Sequence, residues 1–269
     1  MDFRFIFGEF SMLDKLDFII KKYFLLLKHI FIPFKIGESK IKIFGKTYYY
    51  ESNLGLVLYQ VSLIHHAKLI DNLDINKQGV VMVDVGANVG CFSLTFKNIF
   101  TNSRIYSFEP APAVFDCLSK NMEGFENVRL ENFGLSDTSG IFKFLYNPKN
   151  TEMGQISSEG NIDVQIKTLN SYVAKNKISH IDFLKIDTET YEKNVLIGGS
   201  DILSKTKYIL LEVNYEPSNN NYTVSELMST LVSKDYNFQL LKIVNFLDKD
   251  IEKASILDFL LINKLYEEK

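Results

Sequence analysis

Cysteine is scarce in this chain, with only Cys91 and Cys117 among 269 residues. Two cysteines match neither a disulfide framework nor the spacing of a zinc site. Proline (5) and glycine (14) are also few, which excludes collagen-like and proline-rich chains. Because 46% of the residues are hydrophobic and 23% are charged, enough apolar surface exists to offset the entropy of ordering the chain. The sequence predicts a globular protein of a reducing compartment, and the cytoplasm is the simplest one.

The chain also lacks an excess of basic residues. Thirty Lys and Arg face 33 Asp and Glu, which gives a net charge of −3. A protein that binds duplex nucleic acid normally carries a strong positive excess, because it must neutralise phosphates. Nucleic acid is therefore not the partner that this composition predicts.

No uninterrupted hydrophobic run is long enough to span a membrane. The most apolar stretch, residues 16–34, is broken by Lys21, Lys22 and Lys28. Each of these ammonium groups would cost on the order of 2.5 kcal/mol or more in the middle of a span. A signal peptide is not indicated either, because no basic head precedes an uncharged core with a cleavage site.

The apolar residues of this N-terminal stretch instead follow helical spacing between Leu13 and Phe31. The pattern predicts an amphipathic helix. Two interpretations stay open: the helix packs on protein, or it lies in a membrane interface as a peripheral contact. The location is then the cytoplasm or a membrane surface, and the oligomeric state is not indicated.

The remaining chain divides at about residue 78. Before it, residues 40–44 and 46–50 predict two short strands that turn at Gly45, and residues 54–73 have helical spacing. From residue 79 to 269, apolar strands alternate with amphipathic helices, which indicates an α/β fold with a mostly parallel sheet and helices on both faces. The predicted strands are 80–85, 104–108, 128–133, 181–186, 208–213, 238–241 and 256–262; the predicted helices are 89–100, 112–122, 192–203 and 224–232. Residues 147–161 read as a long loop, which is typical of a lid or a binding loop.

A glycine-containing turn follows the first strand of this domain. Gly86, Asn88 and Gly90 come directly after Asp84 and Val85. Glycines at a strand-to-helix turn let the backbone approach a ligand closely, but the order departs from the dinucleotide pattern. An acid at the start of the turn would repel phosphate and suit a cation, such as the sulfonium and ammonium groups of S-adenosylmethionine.

Glu109 ends the next strand, 19 residues after Gly90. This is the distance at which an acidic residue binds ribose hydroxyls in nucleoside sites. The spacing favours a nucleoside ligand over a merely solvated acid at a strand end.

Four segments together resemble the FkbM-type methyltransferases, which belong to the class I S-adenosylmethionine-dependent fold. They are VDVGANVGCFS (83–93), YSFEPAP (106–112), GLSD (134–137) and FLKIDTETYEKNVLIGG (183–199). The resemblance covers residues 80–213 and implies a Rossmann-like domain that methylates hydroxyls of sugars or natural products. Two departures stand out: Gly134 replaces the family's usual Ala, and Thr190 replaces its usual Gly.

The resemblance also implies the cofactor, S-adenosylmethionine, and where it binds. Asp84, Gly86, Asn88 and Gly90 would surround its methionine end, Glu109 would hold its ribose, and Ser136 and Asp137 would lie near its adenine. The acceptor would be a glycan or another small molecule.

Acidic residues follow the strand 181–186, where an acceptor would meet the methyl group. Asp187 is the leading candidate for a general base or an orienting carboxylate, and Glu189 is the second. Alternatively, Asp187, Glu189 and Glu192 could hold a divalent cation, although no metal is the preferred prediction. Glu192 could also simply favour a helix dipole.

Other polar residues are weaker candidates for the active site. Glu212 and Asn214 follow the next strand and are plausible acceptor contacts, whereas His65, His66 and Cys91 are more typical of packing. Two other functions stay open: a nucleotide-linked oxidoreductase or epimerase, and a non-catalytic cofactor-binding module. The missing third phosphate-loop glycine argues against the first of these.

Overall fold

The structure, a computed structural model, describes residues 39–43, 46–50, 66–71, 73–76, 78–148, 154–214, 222–244 and 256–266. The predicted N-terminal amphipathic helix lies outside these residues, and so does most of the predicted helix at 54–73. No helix among the described residues is long and apolar enough to cross a membrane.

Thirteen strands and seven helices occur within the described ranges. The strands are β1 (Ser39–Ile43), β2 (Lys46–Tyr50), β3 (Val81–Val85), β4 (Arg104–Phe108), β5 (Val128–Glu131), β6 (Gly134–Leu135), β7 (Gly140–Leu145), β8 (Gln155–Ile156), β9 (Ile162–Lys167), β10 (Ile181–Ile186), β11 (Thr206–Asn214), β12 (Phe238–Val244) and β13 (Ile256–Asn263). The helices are α1 (Ala67–Asp71), α2 (Cys91–Ile99), α3 (Pro112–Asn121), α4 (Leu169–Asn176), α5 (Glu192–Gly198), α6 (Ser200–Leu203) and α7 (Val224–Leu231).

Seven strands form the main sheet, in the order β12-β13-β11-β10-β3-β4-β5. The pairs β4–β5, β3–β4, β3–β10 and β10–β11 are parallel, and β13 runs antiparallel to both of its neighbours. The order reverses at β3 and β10, because the chain leaves β3 in one direction and later returns to pair on its other side. Ligands of open α/β sheets bind at such a reversal, outside the carboxyl ends of the strands. The predicted class I methyltransferase fold is confirmed.

Both faces of the main sheet are covered. Along β3, Val81, Val83 and Val85 pack in the cluster that includes residues of α4 to α7, whereas Met82 packs on the opposite side with residues of α1 and α2. Side chains alternate between the faces of a strand, so a strand such as β3, with apolar residues on both faces, is expected to be buried on both. All five residues of β3 are buried, which confirms this interpretation of the sequence.

Local sequence explains where several helices begin. Pro112 is the first residue of α3, where its missing N–H costs nothing. Thr168 caps α4 by accepting from Ser171 N, and Thr223 forms a capping box with Glu226 at the start of α7. The helix predicted over 192–203 is wrong as one element, because the chain breaks at Gly199 into α5 and α6.

A second sheet, of order β6-β9-β7-β8, was not predicted. Its strands β7 and β9 pair antiparallel and are largely exposed on one face, so their hydrophobic signal is weak. The strand predicted over 128–133 ends at Glu131, because the chain turns there to enter β6. Part of the predicted loop 147–161 is the short strand β8, and residues 149–153 are outside the described residues.

The predicted N-terminal hairpin is confirmed as β1 and β2, which pair antiparallel. Tyr48 and Tyr50 are buried against residues of α2 and α3. The Asn121 side chain accepts from Tyr49 N at 2.6 Å and donates to Tyr49 O and to Val89 O. Through Asn121, the hairpin is tied directly to the glycine-containing turn after β3.

Candidate active site

The register of the main sheet brings the predicted site residues into one row. Val85 pairs with Phe108 and with Ile186, and Ile186 pairs with Leu211. The residues that follow each of these therefore lie side by side at the carboxyl edge: Glu109, Gly86, Asp187 and Glu212. Strands are about 4.8 Å apart, so this row spans about 14 Å. We call it the carboxyl-edge row.

The backbone N–H groups of the glycine-containing turn are all used within the protein. Gly86 N and Ala87 N donate to Phe108 O, and Gly90 N donates to Ala87 O. The two amides between them bond to side chains: Asn88 N donates to Glu109 Oε2, and Val89 N donates to Asn88 Oδ1. A turn whose donors are already engaged offers little to a phosphate, which binds through such N–H groups.

Gly86 sits where no side chain fits. Its φ is +77°, and a Cβ built there would overlap the carbonyl oxygen of Asp187. Gly90 also has a positive φ, of +89°, and its Cβ would crowd Leu118. Each glycine is therefore needed where the turn packs closely on a neighbour: Gly90 lies against Leu118 of α3, and Gly86 lies against Asp187 at the end of β10.

Asp84 lies beneath the turn and has no exposed surface. Its Oδ2 accepts from Ser93 Oγ, and its Oδ1 has no hydrogen-bond partner and is 4.0 Å from Lys185 Nζ. Burial raises the pKa of the Asp84 carboxyl, and the positive charge of Lys185 acts in the opposite direction. Asp84 is therefore enclosed beneath the turn and makes no direct contact with a ligand in this conformation.

Glu109 is 7% exposed and joins the turn to the segment after β4. Besides Asn88 N, its carboxylate accepts from Ala111 N at 2.8 Å. Burial raises the pKa of Glu109 to about 7, although these two backbone hydrogen bonds lower it. A carboxylate has about four acceptor positions, so Glu109 can still accept from ribose hydroxyls.

Ser136 and Asp137 follow β6, which lies next to Pro110. Ser136 is buried; its N donates to Lys167 O, and its Oγ donates to Asp137 Oδ1 at 3.0 Å. Asp137 is the more exposed of the two. The departure at Gly134 is compatible with this packing, since a Cβ there would meet only the flexible end of Ile166 and the Pro110 ring.

Asp187 forms an ion pair with a buried lysine. Lys185 Nζ is 2.7 Å from Asp187 Oδ2, and Lys185 is 6% exposed. Desolvation favours the neutral form of Asp187, but Lys185 outweighs it and holds the pKa of Asp187 below its usual value. Burial alone would lower the pKa of Lys185, yet Asp187 and Asp84 raise it instead. Asp187 is thus ionised at neutral pH, next to the turn that carries Gly86.

Further acids gather beside Asp187. One carboxylate oxygen each from Asp187, Glu189 and Glu212 lies within 4.8 Å of the others. Asp258 pairs directly with Glu212 across β11 and β13. Burial, and then the negative charge of Asp187, raise the pKa of Glu212 well above its usual value and that of Asp258 to about 8. These two acids are therefore protonated more readily than free carboxyls, and the β11 side of the row carries less negative charge than its number of acids suggests.

The structure changes which acids could form the alternative metal site. Glu192, one of the three acids considered for it, is 2% exposed and bonds to Thr188 and Tyr222 instead. Glu212 takes its place in the cluster with Asp187 and Glu189. Oxygen ligands of this kind suit hard divalent cations, but acidic clusters are common without one. The cluster alone does not establish a metal site.

His66 lies nearer to the site than its helical position suggested. Its ring packs edge-on against Phe92, with centroids 5.0 Å apart, and its charge helps to lower the pKa of Asp187. Sequence reasoning gave His66 little weight, because no local pattern links residue 66 to residue 187. His65 lies outside the described residues. Asn214 ends β11 opposite Ile256, and Cys91 begins α2.

Comparison with known proteins identifies relatives over the part of the chain that carries these residues. The model of the family described as "Methyltransferase FkbM domain" matches residues 84–240, more than half of the chain. The chain is 25% identical to 2-O-methyltransferase NoeI of Sinorhizobium fredii, a match over 56% of this chain and 69% of that protein. It is 26% identical to hexuronic acid methyltransferase AglP of Haloferax volcanii, over 57% and 65% respectively. Methyltransferase sdnD of Sordaria araneosa is 29% identical, over 52% and 67%.

These matches span about two thirds of the relatives' own lengths. Among solved structures, a fibrillarin pre-rRNA processing protein of Methanococcus jannaschii overlays with a TM-score of 0.45 and 14% identity, over 84% of this chain and 83% of that one. So loose a likeness carries no argument about activity. The match to the family model over residues 84–240, which begins at Asp84 and includes Asp187 and Glu212, shows that the chain belongs to the FkbM methyltransferase domain family.

Proposed function

We propose that this protein is an S-adenosylmethionine-dependent O-methyltransferase that acts on a hydroxyl of a saccharide, a glycan or a related small molecule. The observation that carries the proposal is the contact between Gly86 and Asp187, which puts the predicted cofactor turn directly beside an ionised carboxylate. Two relatives support the acceptor class by their names, a 2-O-methyltransferase and a hexuronic acid methyltransferase.

The residues present fit this cofactor better than a dinucleotide. The turn has no spare N–H groups for a pyrophosphate. The ionisable side chains around it are the acids Asp84, Glu109 and Asp187, and Lys185 lies between Asp84 and Asp187. Asp84 Oδ1 is a buried acceptor with no hydrogen-bond partner. When bound, S-adenosylmethionine would supply a methyl group on a positively charged sulfur, which the ionised Asp187 carboxylate would stabilise. The oxidoreductase alternative is correspondingly disfavoured.

Asp187 would serve the acceptor. The cofactor would supply the methyl group to the acceptor oxygen and leave as S-adenosylhomocysteine, and the Asp187 carboxylate would accept the hydroxyl proton. Because Lys185 lowers the pKa of Asp187, this carboxylate is a weak base, and its first contribution is to hold the hydroxyl in line. Glu189 and Glu212, which lie beside it, would accept hydrogen bonds from the other hydroxyls of a sugar.

Methyl transfer itself tests this proposal. Incubation with S-adenosylmethionine carrying a labelled methyl group and a panel of neutral and acidic saccharides should label at least one saccharide on oxygen. Binding of the cofactor without labelling of any saccharide or natural-product hydroxyl would favour the non-catalytic alternative. Binding of NAD in preference to S-adenosylmethionine would favour the oxidoreductase.

Glu109 makes cofactor binding depend on pH. The free protein holds the pKa of Glu109 at about 7, and ribose hydroxyls donate best to the ionised form. Binding should therefore lower this pKa and release a proton, and affinity should fall as the pH falls through 7. Between pH 8 and pH 6 the affinity should drop about tenfold, as linkage to one such group requires. Calorimetric titration in buffers of different ionisation enthalpy measures both effects.

Substitution at the same position checks the assignment. Glu109→Gln should weaken binding at pH 8 by ~1–3 kcal/mol, the scale for hydrogen bonds to a charged group, and should flatten the pH dependence. Glu123→Gln makes the same chemical change at an exposed position after α3 and should leave both unchanged. If Glu109→Gln binds like the parent protein at every pH, Glu109 does not hold the ribose.

A further inference from the structure

The turn that carries the predicted catalytic acids has an unfavourable backbone. Glu189 has a φ of +50° and Thr190 a φ of +82°. Such values are uncommon for residues other than glycine, and Thr190 is β-branched, for which a positive φ is a true outlier. Such strained residues persist only where the surroundings enforce them. Something must therefore hold residues 187–190 in place.

Glu192 provides one such restraint from the C-terminal side of the turn. Its Oε1 accepts from Thr188 N at 2.9 Å and from Thr188 Oγ1 at 3.1 Å. The carboxylate is 2% exposed, so these hydrogen bonds face little competition from water. Glu192 thereby fixes the residue that lies between Asp187 and Glu189.

Tyr222 completes the restraint from another part of the chain. Its hydroxyl donates to Glu192 Oε2 at 2.6 Å, and its side chain is 5% exposed in the core that also contains Leu227 of α7. Burial raises the pKa of Glu192, and the hydrogen bond from Tyr222 acts against that rise. The hydrogen bonds therefore link the segment that precedes α7 to the turn, through Tyr222, Glu192 and Thr188.

We infer that Glu192 and Tyr222 are positioning residues, which hold the turn at 187–190 so that Asp187 and Glu189 face the acceptor. This inference rests on the proposed function for what the turn does. Glu192 has no part in proton transfer or in metal binding, because its two oxygens already accept hydrogen bonds from Thr188 and Tyr222. Its effect on catalysis is indirect, through the backbone of the turn.

Tyr222→Phe removes one hydroxyl and tests the inference. We expect kcat to fall at least about tenfold, since small misplacements of catalytic groups cost up to ~100-fold, while KM and cofactor affinity change less than about twofold. Backbone amides of residues 188–190 should lose protection in hydrogen exchange, because the restraint on Thr188 is weakened. Thr188→Val should also lower kcat and the protection of these amides. Thr188→Ser keeps the hydroxyl, so both properties should stay close to those of the parent protein.

Tyr172→Phe is the matched control. Tyr172 is equally buried, and its hydroxyl also donates to a glutamate, Glu131 Oε1 at 3.0 Å, on a strand three places from β10. This variant should lose comparable stability and leave kcat and the exchange of residues 188–190 unchanged. Normal kcat and normal exchange in Tyr222→Phe would overturn the inference. If the parent protein methylates nothing, the proposed function fails, and the exchange experiment still decides whether Glu192 and Tyr222 hold the turn.

Discussion

An Asp187→Asn variant should lose at least ~100-fold in turnover while its affinity for S-adenosylmethionine stays within about twofold. The substitution keeps the shape of the side chain but removes its charge and its ability to take the hydroxyl proton. Cofactor affinity should persist, because Asp187 follows β10, whereas Glu109, the proposed ribose contact, follows β4 on the other side of Gly86. Single-turnover kinetics and calorimetry measure the two quantities separately.

Asp182→Asn controls for the general cost of this change. Asp182 is at the opposite end of β10, where its carboxylate accepts from Val81 N and Tyr266 OH. It should lower stability without lowering kcat. Full turnover by Asp187→Asn on its true acceptor would contradict the assignment of Asp187. A parent protein that a chelator inactivates and a divalent cation restores would instead place a metal at the cluster of Asp187, Glu189 and Glu212.

Gly86→Ala should be the most disruptive single change in the glycine-containing turn. An alanine there must adopt a φ of +77°, and its Cβ would overlap the backbone oxygen of Asp187, which cannot move without shifting the end of β10. The φ costs ~1–2 kcal/mol, and the overlap adds ~1–3 kcal/mol of strain. We expect the free energy of unfolding to fall by ~3 kcal/mol, and cofactor affinity and turnover to fall together. Denaturant titration and calorimetry measure these changes.

Gly124→Ala separates the two contributions. Gly124 has a similar φ of +82°, but nothing lies within 4 Å of a Cβ built there. In this control, the free energy of unfolding should fall only by the cost of the backbone conformation, and cofactor affinity should be unchanged. Equal losses of stability in the two variants would mean that the turn and Asp187 are not in the close contact described here.

The sequence predicted the central strands of the main sheet well, because they are apolar at most positions. The sequence predicts burial on both faces for two strands, Val81–Val85 and Ile181–Ile186. The structure shows every residue of the first and all but one of the second to be buried. The turns after these strands could be predicted as site residues by the same logic, since parallel strands expose their carboxyl ends at one edge. The spacing between Gly90 and Glu109 likewise follows from one β–α–β unit.

Other features depend on contacts between residues far apart in sequence. The pairing of Glu212 with Asp258 requires β13 to insert beside β11, and no local pattern marks that register. Tertiary packing also determines the burial of Asp84 and the hydrogen bond that Tyr222 donates to Glu192. The second sheet was missed because its strands are half exposed and short, as Gln155–Ile156 shows. The predicted domain boundary at residue 78 stays a prediction, and β2 packs against α3 across it.

A structure of the complex with S-adenosylhomocysteine tests the central claim most directly. The claim is that the carboxyl-edge row is divided, with the cofactor on the β3–β4 side and the acceptor on the β10–β11 side. The account predicts ribose hydroxyls hydrogen-bonded to Glu109 and the sulfur directed past Gly86 toward Asp187. A nucleoside bound instead among Glu189, Glu212 and Asp258, with Glu109 untouched, would contradict it.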